Sequence, residues 1–182
     1  MKDESIPRAP KEYDKARREA DEFYKAVGNV RCPALGGEGV HFTSEGFNHL
    51  VYKAGKNVPR NPLVQVMRFE LLPKAKLLLE TTTTFQEYEE EYRYMPVNRH
   101  GRYQQENMLV RAWGFVAIVN RFRLKVVVQQ IGNGKKHFYS VIPAWKTRQY
   151  RDIKMIETAP TGGVRFEDDA EVLKNATNGG AS

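Results

Sequence analysis

The stretch RFRLKVVVQQIGNGKKHFYSVIP, residues 121–143, limits the fold more than any other part of the chain. Phe122, Leu124, Val126 and Val128 alternate with Arg121, Arg123, Lys125, Val127 and Gln129, the period of two expected of a strand. Asn133-Gly134 predicts a two-residue type I′ turn, and Lys135 to Pro143 predicts the return strand. That turn sets Gln129 opposite Phe138, Val127 opposite Ser140 and Lys125 opposite Ile142. Val126, Val128, Tyr139 and Val141 then share an inner, apolar face, with His137 on the same parity near the turn. Arg123, Lys125, Gln129, Lys136, Phe138 and Ser140 share the other. Cations, an amide, an aromatic ring and a hydroxyl on one sheet face can hold a phosphate and stack a base.

Upstream the pattern is helical. Residues 1–9 read as disordered. Tyr13, Ala16, Ala20, Phe23, Tyr24 and Val27 fall on one face of a helix from Pro10 to Val27, which Gly28 stops. RCPALGGEG reads as a connector and Val40–Thr43 as a short strand. Thr43 or Ser44 caps a helix whose Phe47, Leu50, Val51 and Ala54 share a face, with His49 and Lys53 opposite, one turn apart. Asn61 caps a further helix with Pro62 first, and Pro73 is expected to break or restart it. In FQEYEEEYRYM, Gln86, Tyr88, Tyr92 and Tyr94 alternate with Glu87, Glu89, Glu91 and Arg93, as in a strand with one polar face, and Glu90 interrupts the aromatic face. MPVNRHGRYQQEN reads as a long basic loop and MLVRAWGFVAIV as a central strand. The order predicts an α+β domain over residues 10–158, with N-terminal helices packed on one face of a three- to four-stranded antiparallel sheet. Residues 159–182 read as a flexible tail.

Charge narrows the function classes. The 182 residues carry a formal net charge of +7, which favours a polyanionic partner. Pro96 to Met155 holds seven Arg and five Lys against Glu106 and Asp152, whereas Glu80 to Glu91 holds five Glu and no base. No apolar run approaches a membrane span, and no membrane partner is expected. The N-terminus has no signal-peptide pattern, and Cys32 is the only cysteine. Both point to a reducing, cytoplasmic compartment. Four scattered His and one Cys give no zinc spacing, and no phosphate-loop or dinucleotide motif is present. Neither metal nor cofactor is expected.

VHFTSEGFNHLVYK, followed far downstream by RLKVVVQQIGNGKKHFYSVIP, resembles the barnase–EndoU–colicin–RelE superfamily of metal-independent ribonucleases, in its phage- and toxin-associated branches. The two stretches cover about a fifth of the chain. The resemblance implies an α+β fold with its site on the open sheet face, and RNA, either tRNA or ribosome-associated mRNA, as substrate. It matches His49 to the helix histidine, Ser140 to the terminal-strand hydroxyl, and Lys125 or Arg123 to the phosphate-contacting base. A second basic or acidic partner found in many relatives has no counterpart in the pattern.

Metal-free RNA cleavage needs a base for the 2′-OH, an acid for the leaving oxygen and cations around the phosphorane. The assignment is His49 as acid or base, Lys53, Arg123 and Lys125 as phosphate contacts, and Ser140 as positioning hydroxyl. Arg99, Arg102, Arg121, Gln129, Lys136, Phe138, Trp145, Lys146 and Arg148 are the expected RNA-binding residues. Plainer readings stand beside these: His49 and Lys53 as solvated helix residues, Ser140 as a small packed residue, and the strand cations as partners of Glu87, Glu89 and Glu91. The functional alternatives are a non-catalytic RNA-binding module and an interaction domain docking an acidic partner such as an antitoxin.

Overall fold

The computed structural model describes residues 12–53, 57–119 and 122–143. Helix α1 (Tyr13–Val27) leads into β1 (Asn29–Cys32), a short 3-10 turn (Pro33–Leu35) and β2 (Glu38–His41). Helices α2 (Ser44–Val51) and α3 (Pro62–Thr81) follow, then strands β3 (Glu87–Arg99), β4 (Arg102–Val119), β5 (Phe122–Ile131) and β6 (His137–Pro143). The strands form one sheet in the order β1-β2-β6-β5-β4-β3. The fold is α+β as expected, but the sheet has six strands and is mixed. The β2–β6 pair is parallel and is held by a single register pair, His41 with His137. β1 falls at the start of the segment read as a connector, and β2 begins in that segment and takes in the first half of the short strand expected over Val40–Thr43. Val30, Cys32 and Val40 in them are buried, whereas the glycines around them masked the alternation.

The helix signals hold locally. Gly28 ends α1 at φ 62°. The Thr43 hydroxyl caps α2, and the Asn61 side chain accepts from Leu63 N at 2.9 Å to cap α3. Pro73 does not break α3, which runs unbroken through it. Its ring sits on the exposed side, while Leu71, Leu72, Ala75, Leu78 and Leu79 are buried, so packing outweighs the one lost backbone bond. The core joins the three helices to Trp113, Phe115, Leu124, Val126, Val128, Phe138 and Val141. At its centre Phe42 stacks on Phe138 at 4.8 Å and Tyr24 meets both rings edge-on. Among the described residues no helix is long and apolar enough to cross a membrane.

Two features of the sheet depart from the expectation. The basic loop is the end of a long β3–β4 hairpin, paired from Glu87–Gly114 out to Arg99–Arg102, with His100 and Gly101 at its tip. The β5–β6 connection turns at Gly132-Asn133 instead of Asn133-Gly134. Gly132 takes the positive φ, 55°, and Gly134 N donates to Ile131 O at 2.9 Å. A bulge between Val127 and Val128 then shifts the register. Lys125 still faces Ile142 and Val127 still faces Ser140, but Val128 pairs with Phe138 and Gln129 with His137. Tyr139 is the extra residue. The shift sends Phe138 into the helix-covered core, fully buried, and moves Tyr139 to the opposite face with Ala112 and Val127. Phe138 is therefore a core residue and not a stacking platform.

Candidate functional site

The site gathers where the helix layer meets β6. Beyond His41–His137, β2 makes no further pair with β6. Helix α2 runs beside the strand instead, and the His49 ring lies 3.9 Å from the Tyr139 ring, centroid to centroid. The chain after α2 doubles back, with Lys53 N donating to Val58 O and Arg60 N to Val51 O. That return covers the helix face read as solvated, so His49 is only 7% exposed. Arg60 Nε donates to His49 O at 2.9 Å, and its Nη2 lies a long 3.5 Å from His49 Nε2. A guanidinium can only donate, so this contact fits the tautomer with its proton on Nδ1. Nδ1 is buried without a hydrogen-bond partner. Gln65 Nε2 holds Arg60 O at 2.8 Å, and Tyr13 Oη donates to Gln65 Oε1 at 2.6 Å, so α1 and α3 both brace Arg60.

Arg68 completes the cluster. It is fully buried on α3, and its Nη1 donates to Ser140 Oγ at 3.0 Å. Burial, followed by the charges of Arg68 and Arg60, pulls the His49 imidazole down to about 3, so it is neutral at ordinary pH. Burial lowers Arg60 to about 10. It lowers Arg68 well below the usual guanidinium value, and the Arg60 charge adds to this. The Tyr139 phenol is raised by burial, against the pull of Arg93, Arg60 and Arg68. A neutral imidazole, two guanidiniums and a hydroxyl thus meet within one strand edge. Such a set can receive an oxyanion beside an unprotonated imidazole.

The expected residues divide. His49 and Ser140 are brought to one cluster through Tyr139 and Arg68. Arg123, Lys125 and Gln129 share the sheet face of Val127 and Ser140, and Arg123 and Gln129 are buried. Lys125 is held by Glu87 at 2.5 Å, so for this lysine the ion-pair reading describes the structure. Both partners are largely buried, and breaking such a pair one side at a time leaves a stranded charge. Glu87→Gln is expected to cost about 3 kcal/mol in a urea melt, with most of it recovered in Glu87→Gln/Lys125→Met. A double variant no more stable than the single would refute the coupling.

The remaining candidates lie apart. Lys53 is exposed beyond the last residue of α2, because the helix stops at Val51, so the expected i,i+4 pair with His49 does not form. Lys136 binds Glu38 at 2.6 Å and lies over the Trp113 ring. Arg99 binds Glu106 at 2.9 Å near the far hairpin tip, where Arg102 is exposed. Arg121, Trp145, Lys146 and Arg148 lie outside the described residues. Among the described residues no group of three or more His, Cys, Asp or Glu is placed to hold a metal.

Arg60 and Arg68 were not among the expected residues. For Arg68 a signal exists: Gln65, Arg68, Leu72, Ala75 and Leu79 follow helical spacing, which places an arginine on the apolar stripe. Arg60, in an irregular segment ahead of a cap, carries no such signal. No protein-family model, curated protein or solved structure matches this chain.

Proposed function

We propose that the chain is a ribonuclease-like, RNA-binding protein whose reactive centre is the His49–Arg60–Arg68–Ser140 cluster at β6. The observation that carries this reading is the meeting of Arg68 with Ser140 and of Arg60 with His49 around one tyrosine, Tyr139. In this reading the neutral His49 takes the 2′-OH proton as general base, the 2′-oxygen bonds to phosphorus, and the P–O5′ bond breaks as water protonates the leaving oxygen. Arg60 and Arg68 stabilise the phosphorane that follows, and Ser140 holds a non-bridging oxygen. Arg123 and Gln129 extend the same face for the flanking nucleotide. The partner is RNA, and no step requires a metal.

The test is cleavage of total RNA and tRNA in EDTA, with the ends identified. Wild type is expected to leave 2′,3′-cyclic phosphate ends, and His49→Gln to lose about a hundredfold or more in rate while still binding RNA. Lys53→Ala, at an exposed position outside the cluster, is expected to cleave normally. Cleavage untouched in His49→Gln would remove His49 from the mechanism.

A second reading, a non-catalytic RNA-binding module, is favoured by the β3–β4 hairpin. Tyr92, Tyr94 and Tyr103 are 69%, 73% and 76% exposed, a row of rings suited to stacking on unpaired bases. Salt-dependent RNA binding without cleavage, weakened in Tyr92→Ala/Tyr94→Ala, is the outcome that selects it.

A further inference from the structure

The β3–β4 hairpin runs past the body of the sheet. β5 pairs with β4 only as far as Val110, opposite Ile131, whereas β3 and β4 stay paired from Tyr92–Leu109 out to Arg99–Arg102. That arm is a two-stranded ribbon, which is marginal by itself in water. β3 is the last strand of the sheet among the described residues. His100 and Gly101, at φ 53° and 83°, make the two-residue turn at the tip, so Arg99 and Arg102 form a hydrogen-bonded pair. Odd-numbered residues of β3 therefore bond to β4, and the backbone groups of Tyr88, Glu90, Tyr92 and Tyr94 point to the open edge. The bond from Gly132 N to Leu109 O agrees, since it assigns the odd-numbered residues of β4 to β5. The side chains of the same set are exposed, Tyr88 by 42%, Tyr92 by 69% and Tyr94 by 73%.

We propose that β3 pairs antiparallel with β3 of a second copy of this chain, about a twofold axis at Tyr92, so that each arm lies along the body of the other copy's sheet. Charge chooses this occupant. Residues 87–91 (EYEEE) carry four Glu and no base, and residues 92–99 (YRYMPVNR) carry two Arg and no acid. Antiparallel pairing lays the basic half of one copy on the acidic half of the other. Only the even-numbered residues of β3 turn their backbone groups to the edge, so the possible registers step by two residues. Pairing Tyr92 with its own counterpart sets Glu91 opposite Arg93 of the second copy, on both sides of the axis. One step either way sets Glu91 opposite Glu91 or Arg93 opposite Arg93, and like charges directly opposite destabilise a sheet. Glu91 and Arg93 already pair within one strand, and this register joins the two pairs into one network without parting either. The rings agree with it. Tyr94 falls opposite Glu90 of the second copy and diagonal to that copy's Tyr88 and Tyr92. Tyr88 rests on Trp113, so the incoming Tyr94 extends an aromatic cluster rooted in the body. Pro96 has no N–H to give and ends the ladder. RNA is the poorer occupant: on this side of β3 and β4 the one cation is Arg111, and it is bound to Glu90. The pairing does not rest on the His49 reading and competes only with the stacking role of the hairpin.

The test uses the full chain. Sedimentation across a dilution series is expected to show a twofold rise in mass, from one chain to two. Arg93→Glu and Glu91→Arg are each expected to sediment as one chain, because each sets like charges opposite. Mixing the two variants is expected to restore the two-chain species, since every cross-strand pair is then opposite in sign. Tyr92→Cys is expected to form a disulfide-linked pair of chains on mild oxidation, because directly opposite residues lie about 5.5 Å apart. Cys32 is fully buried and does not compete. Tyr94→Cys, whose counterpart lies four residues out of register, about 14 Å away, is expected to stay unlinked. Equal linkage at the two positions, or no recovery on mixing, would overturn the pairing. A wild type that remains a single chain at every concentration would overturn it as well, and loss of single-stranded RNA binding in Tyr92→Ala/Tyr94→Ala would then give the row to RNA.

Discussion

Gly46→Ala is expected to destabilise the protein by about 3 kcal/mol and to dismantle the candidate site with it. A methyl group at Gly46 would lie 2.2 Å from the Phe138 carbonyl oxygen and 2.3 Å from Tyr24 Oη. The carbonyl belongs to β6, inside the sheet, and cannot step aside without moving the strand. Helix propensity alone argues the other way, since alanine is favoured over glycine within a helix by about 1 kcal/mol. The steric term is larger, and the sign of the measured change decides between them. Tyr24 Oη is buried without a partner, so Tyr24→Phe by itself should be neutral or slightly stabilising and should rescue Gly46→Ala only in part. Because α2 carries His49, lifting it from β6 also parts His49 from Tyr139. Denaturant melts give the stability, and the His49 ring signals give the geometry. A Gly46→Ala protein as stable as wild type would mean that α2 does not sit on β6 as described. Gly28→Ala is a useful contrast: nothing lies within 4 Å, but φ is 62°, so its cost of about 1–2 kcal/mol comes from the backbone alone.

What the sequence conveyed was periodic and local. The first helix, the caps at Thr43 and Asn61, and the β5 alternation follow from residue spacing and are found where spacing puts them. Failures occur where a neighbour distant in sequence decides. His49 is solvated on a helical wheel with one packed face. It is buried here because residues 57–60 return across the second face, which no wheel can contain. Phe138 changes face because of one bulge, since a shift of one residue inverts every side chain beyond it. Glu87 to Arg93 show the same limit. The alternation was legible, but not which side would be covered: Glu87 is buried, whereas Tyr92 and Tyr94 face solvent. Half of the candidate cluster was legible as well. His49 and Ser140 stand in segments with a recognisable pattern. Arg60 and Arg68 are brought to them only by the tertiary path of α3 and the irregular segment before it.

Acid should weaken this protein well before its carboxylates are neutralised, and His49 is the reason. In the unfolded chain its imidazole titrates near 6.5, but in the fold it is held down to about 3. Between those values the unfolded chain binds a proton that the native protein refuses, so stability falls as the pH falls through that window. Above about pH 6.5 both states are neutral and the effect is absent. The slope is about 1.4 kcal/mol per pH unit, and the full window is worth roughly 3 to 5 kcal/mol. His137 adds in the same direction, because burial lowers it too, with the Glu45 charge opposing. Around His49 stand Arg60, Arg68 and Tyr139. Urea midpoints measured at about pH 7 and about pH 4.5 should therefore differ strongly in wild type and much less in His49→Gln, whose side chain does not titrate. The proposed catalysis links to the same number. A base that stays neutral down to about 3 gives the free protein a rate with no falling limb between about pH 8 and about pH 5. An acid limb near 6.5, together with a flat stability profile, would place His49 in water. The cluster at β6 would then lack the closed, doubly arginine-flanked imidazole on which the proposed chemistry depends.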